Sequence, residues 1–228
     1  KLGFNKIKSL YTIFILICFQ GFIGWYMVSS GLIDRIDVSH YRLSLHLFLA
    51  FIILSLIFWN YLKCRNINYS QDKIKNFLPI ILSILIFIQI IIGAFVSGMD
   101  AGKIYNTWPL MGENFFPDDN LIINLFNFSA FNDPSLMQFV HSNLAYLIFL
   151  FYLLILFNVY KNKLSTFFKA TNIIGLLLFL QIVLGIFTLL SGAQMLLASL
   201  HQISSIFLVS SSIYLVYLNF YSNLQPLD

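Results

Sequence analysis

His46, His141 and His201 each stand inside a long apolar run of this sequence, at comparable distances from the end of the run. Imidazole exchanges protons near neutral pH and ligates metals through either ring nitrogen. At such a depth in an apolar segment a polar ring is costly unless it faces a partner or a cavity, so all three are candidate functional residues. The neighbouring residue types narrow the chemistry. No cysteine or carboxylate stands beside these histidines at zinc-ligand spacing, and there is no His-Glu-x-x-His. Imidazoles projecting from different membrane helices into a shared space suit the axial positions of a haem iron. His141 and His201 have the required path between them, because the chain crosses and recrosses and returns to the same face. Ser142, Ala145, Ala198 and Ser199 nearby would let a flat macrocycle approach the backbone. Small residues also serve ordinary helix packing, and histidines simply hydrogen-bonded between helices are the plainer alternative.

His40 differs, because it sits at the outer boundary in DVSHYRLSLHL. Arg42, two residues on, is placed either to pair with a haem propionate or to anchor the chain at the interface. The segment GMDAGKIYNTWPLMGENFFPDD, residues 98–119, mixes Gly, Pro, aromatic and charged residues unlike a flexible linker. Its Tyr105, Trp108, Phe115 and Phe116 either rest on the bilayer interface or cap a pocket.

The elements that must position these residues follow from composition. Of 228 residues, 59% are apolar and 10% charged, against about 45–50% and about 25% in soluble domains. The excess needs lipid. The net charge of +4 lies in short clusters between apolar runs, a pattern that reports topology and does not imply a nucleic-acid partner. Six runs are long enough to span a bilayer: 10–29, 41–62, 77–98, 137–159, 170–190 and 196–219. The expected class is an all-α integral membrane protein. Ten of the thirteen Lys and Arg residues fall on one side, while Arg35, Arg42 and Lys103 fall on the other with seven of nine acids. The basic side is expected to be cytoplasmic, with both ends of the chain there and the long loop 99–136 outside. Cys18 and Cys64 are far apart and are not expected to form a disulfide or a metal site. Gln20, Gly24 and Ser30-Gly31 align without a gap on Gln181, Gly185 and Ser191-Gly192, and each segment precedes a span with a histidine near its start. The third span echoes this with Gln89 and Gly93. A parallel internal repeat is the preferred reading, and such repeats often hold a ligand at their interface.

Three stretches make the sequence resemble the haem A synthase family in its mitochondrial and proteobacterial form: GWYMVSSGL followed by VSHYRLSLHL, then GAFVSGMDAGKIYNTWPLMG, then QFVHSNLAY with LASLHQ. The loop motif is the most specific, and the likeness covers nearly the whole chain. The resemblance implies an eight-helix protein of two parallel-repeated four-helix bundles that converts a methyl group of haem O to the formyl group of haem A, for cytochrome oxidase. It implies that His141 and His201 are the axial pair of a resident haem b and that His46 belongs to the substrate haem O side, with Arg42 a weaker candidate there. Residues 1–75 would be the second half of the N-terminal bundle, and 76–228 the C-terminal bundle with its outer loop.

The sequence departs from the family pattern at its beginning. The first two family spans, their histidine and a catalytic glutamate three residues before it have no counterpart here, so the chain reads as N-terminally truncated and inactive alone. The C-terminal counterpart of that glutamate is Gln138, which cannot exchange a proton as a carboxylate does. Expected partners are membrane lipid, haem O delivered by a farnesyltransferase step and an unidentified electron acceptor; a homo-oligomer is compatible. The expected location is the bacterial inner membrane, ahead of the mitochondrial one. Two rivals share the resident site: a b-type membrane cytochrome that only relays electrons, and a haem transporter or chaperone.

Overall fold

In a computed structural model, residues 4–29, 38–65, 72–75 and 77–222 are described. Ser30, Gly31, Asp34, Arg35 and Asp37, used above for the repeat and the charge count, lie outside the described residues. Among the described residues six α-helices follow one another: α1 (Phe4–Ser29), α2 (His40–Cys64), α3 (Phe77–Gly98), α4 (Pro134–Lys161), α5 (Ser165–Leu190) and α6 (Met195–Tyr221). All six are long and apolar enough to cross a bilayer, and the chain is a multi-pass, all-helical membrane protein. The helices run beyond the apolar windows at several ends. α4 starts at Pro134 because Asp133 caps it, accepting from the Leu136 N–H at 2.9 Å with proline in the first turn. α5 starts at Ser165, five residues before the apolar stretch, since a helix continues through the interfacial layer that hydropathy does not count as lipid.

α3 packs on α4, α4 on α5, α5 on α6, and α6 back on α3. This closed ring puts α4 and α6 on a diagonal. α2 packs against both α3 and α6, and α1 lies against α2. The centre of the ring is a single apolar cluster that includes Leu82, Ile86, Ile155, Ile174, Val209 and Leu215. Lipid is as apolar as these side chains, so close approach and shape complementarity hold the helices together. Gly175 illustrates this: the Tyr152 hydroxyl, which donates to the Thr171 carbonyl at 3.2 Å, occupies the place a Cβ would take.

Polar contacts tie the helix ends on the basic side. The Ile74 N–H donates to Asn219 Oδ1 at 2.9 Å, Tyr217 donates to the Leu62 carbonyl at 3.3 Å, and Thr166 Oγ1 donates to Asp72 at 3.0 Å. These bonds join the ends of α2 and α6 to the segment before α3 and to the start of α5. Backbone groups near the bilayer must find partners within the protein.

Candidate functional site

The three histidines enter their helices at nearly one depth. His46, His141 and His201 lie six, seven and six residues after the first residues of α2, α4 and α6. At 1.5 Å per residue that is about 9–11 Å along each axis. The preceding helices match just as closely: Gln20, Gln89 and Gln181 lie nine residues before the ends of α1, α3 and α5, and Gly24, Gly93 and Gly185 lie five before them.

In each hairpin these residues meet. The glutamine Nε2 donates to the main-chain carbonyl of the histidine at 3.0 Å, in all three copies. The glycine lies against the imidazole: a Cβ built there would stand 3.1, 3.0 and 3.2 Å from Cε1 of His46, His141 and His201. Gln20 and Gln89 also bring Nε2 to 3.2 and 3.3 Å from the histidine Nε2. The repeated unit is therefore the helical hairpin, present three times. Sequence alignment picked out the glutamines and glycines but not what they touch, and the nine-residue and five-residue offsets are the signal that could have revealed it.

His141 and His201 occupy the diagonal helices of the ring at nearly the same depth. His46 belongs to the α1–α2 hairpin. The plain alternative of interhelical hydrogen bonding is realised on one side of two of these rings only. Nδ1 of His46, His141 and His201 is buried without a hydrogen-bond partner. Such an atom costs about 1–3 kcal/mol when nothing engages it, and coordination to a metal removes that cost. Among the described residues no cluster of three or more His, Cys, Asp or Glu side chains could form a metal cage. Two buried imidazoles on diagonal helices, each with an unpartnered nitrogen, thus fit a metal that arrives within its own macrocycle, as haem iron does.

His40 opens α2 and packs on α3. Its ring lies 5.2 Å from that of Phe95, and a Cβ on Gly98 would fall 2.8 Å from the His40 Cβ. It serves the α2–α3 contact and is not brought to the other histidines. Arg42 stacks over Tyr26 of α1, its guanidinium carbon 4.4 Å from the ring centroid.

The loop between α3 and α4 folds onto α4. Phe115 and Phe116 flank Phe139 at 5.8 and 5.0 Å, and Trp108 Nε1 donates to the Tyr146 hydroxyl at 2.9 Å. These contacts hold the aromatics on α4 while Trp108 and Phe115 stay about half exposed. Gln138, buried at 3% exposure, holds the loop by its backbone: Nε2 donates to the Tyr105 carbonyl at 2.7 Å and Oε1 accepts from the Tyr105 N–H at 3.4 Å. A carboxylate could accept but not donate here, so this position requires the amide.

Asp119 is the hub of the loop, accepting from Ser135 at 2.6 Å, Tyr105 at 3.2 Å and Asn120 at 3.3 Å. Partial burial works against its charge, but the hydrogen bonds from Ser135, Asn120 and Tyr105 outweigh it and hold the carboxyl below its ordinary value of 3.8. The Tyr105 hydroxyl is pushed up, by burial first and then by Asp119. A carboxyl lowered by folding contributes stability that is complete above its unfolded value and lost as pH falls through the lower folded value. Pepsin cleavage within loop 99–133 should therefore accelerate on acidification below about pH 4, and Asp119→Asn should remove the acceleration. Cleavage independent of pH in the native protein, after correction for pepsin's own profile, would count against the hub.

Residues 4–213 match the family described as cytochrome oxidase assembly protein. The chain is 47% identical over 212 residues to the heme A synthase of Pelagibacter ubique (strain HTCC1062), an alignment covering 93% of this chain and 62% of that protein. It is 38% identical to the heme A synthase of Rickettsia bellii (strain RML369-C), over 90% of this chain and 62% of the relative. With the heme A synthase of Rickettsia prowazekii (strain Madrid E) the identity is 37%, over 90% and 61%. The chain spans about three-fifths of the length of these relatives.

Proposed function

From the premise that this chain belongs to the haem A synthase family of cytochrome oxidase assembly proteins, we propose that the protein oxidises a methyl group of haem O to a formyl group, giving haem A. The observation that carries this reading is the pair His141 and His201, each with a buried, unpartnered ring nitrogen, on diagonal helices of a closed four-helix ring. These two residues would hold a resident haem b. When bound, that group supplies a one-electron redox centre able to pass electrons to an acceptor. His46 and Arg42 belong to the substrate side. The His46 ring carries the same kind of unpartnered nitrogen, and Arg42, stacked on Tyr26, offers a planar cation for a propionate.

The two halves would divide the labour. Proton exchange with substrate falls to the glutamate that family resemblance places beside the histidine partner of His46. Gln138, its counterpart by resemblance, is committed to Tyr105 of the loop. Charge placement supports a bacterial cell membrane location with the basic helix ends cytoplasmic.

The test is pigment analysis. The complete coding sequence, co-expressed with a farnesyltransferase that makes haem O, should yield haem A in extracted membranes. Recovery of haem O alone would overturn the synthase reading in favour of an electron-relaying cytochrome or a haem carrier.

A further inference from the structure

The mechanism just described uses the histidines but leaves unexplained a glutamine that recurs in one place three times. We propose that Gln89 and Gln181, with Gly93 and Gly185, are positioning residues that set the helix register and ring plane of His141 and His201, and that they do so unequally. The proposal rests on the haem reading above.

The register argument comes from the carbonyl bond. Each glutamine donates at 3.0 Å to the main-chain oxygen of the histidine itself. That oxygen has a second lone pair beyond the one used in its own helix. A slip of one residue between the two helices moves the histidine about 1.5 Å along the axis and about 100° around it. The bond to the histidine's own backbone resists that displacement where a contact to a neighbouring residue would not. The glycine sets the ring. With no Cβ, it lets the Cε1 edge of the imidazole lie directly on the helix backbone. An added Cβ would sit 3.0 Å from Cε1 of His141 and 3.2 Å from that of His201, closer than side chains normally approach.

The inequality has a sequence cause. Three residues after the histidine stand Leu49 in α2 and Leu144 in α4, but Ser204 in α6. Gln20 and Gln89, with no hydroxyl to bind, bring the amide nitrogen to the ring nitrogen of His46 and His141. Gln181 instead donates at 2.8 Å to Ser204, which in turn donates to the His201 carbonyl at 3.0 Å. The amide of Gln89 therefore touches its imidazole, whereas that of Gln181 is drawn onto the backbone network. The two histidines thus sit in unlike surroundings, one with an amide nitrogen against its ring and the other without.

The experiment uses the complete protein purified with haem b. Gln89→Met and Gln181→Met keep side-chain length and remove the donor. Each should retain haem while shifting and broadening the ferric low-spin electron paramagnetic resonance signal, and Gln89→Met should also change the midpoint potential more than Gln181→Met. Ser204→Leu, which releases Gln181 towards the ring, should move the potential without loss of haem. Gln20→Met, in the other hairpin, should leave the resident signal as in the wild type. Wild-type resonance and potential in both Gln89→Met and Gln181→Met would overturn the proposal, as would equal potential shifts in the two. Should those variants fail to accumulate, Gly93→Ala and Gly185→Ala carry the same test. Absence of bound haem from the wild-type protein would instead sink the haem reading alone. The clamp is then read in haem-free protein by carbethoxylation of His141, which should be severalfold faster in Gln89→Met and whose unchanged rate would refute it.

Discussion

Replacing either His141 or His201 by alanine will abolish the low-spin haem spectrum of the complete, purified protein. The expected loss is total because the two residues together would hold the haem, and each is the one histidine its helix brings to the ring. The substitutions should spare the fold. Alanine is the best helix former, and the histidine side chains hold no other element through hydrogen bonds from Nδ1. The glutamine bonds to the main-chain carbonyls at 141 and 201 do not depend on the side chain. Accumulation and thermal stability should accordingly stay close to wild type while the absorbance disappears. A spectrum that persists in both variants would refute the axial assignment.

His46→Ala should produce the complementary result. Haem O conversion should fall to background, while the resident low-spin spectrum remains. The reason is location: His46 belongs to the α1–α2 hairpin, whereas His141 and His201 sit in the ring of α3 to α6. The same glutamine and glycine pattern surrounds His46, so its backbone is held whether or not the ring is present. Conversion by co-expressed His46→Ala protein at the wild-type level would detach this residue from the substrate. Loss of the resident spectrum would show that the two sites are not separable.

Much of this arrangement was legible in the sequence, for identifiable reasons. Hydropathy located six spans because lipid selects for long apolar runs, and it missed only interfacial ends such as Ser165–Lys169 of α5, whose polar residues carry no apolar signal. The Asp133-Pro134 start of α4 was written in the sequence as a cap, but a window of average hydropathy cannot see it. The common depth of the histidines survived because helical rise is constant. The repeat was visible as identities, yet alignment shows which residues recur and not which atoms meet, so the glutamine bonds were out of reach. Gln138 was read from the resemblance as the counterpart of a carboxylate, and nothing in the sequence showed that its amide spans both backbone atoms of Tyr105. The third copy was the hardest to read, because its histidine lies beyond a loop of thirty-five residues.

That loop has a consequence for how such proteins can diverge. The connectors described within hairpins cover residues 99–133 and 191–194. The ligand address in each hairpin is counted from the helix ends and not through the connector, so insertion or deletion between the helices leaves the histidine at its depth. Long surface insertions are cheap to close. The membrane-embedded hairpins are in this sense modular: lids, docking surfaces or control segments can be spliced between their helices without moving the histidines beneath.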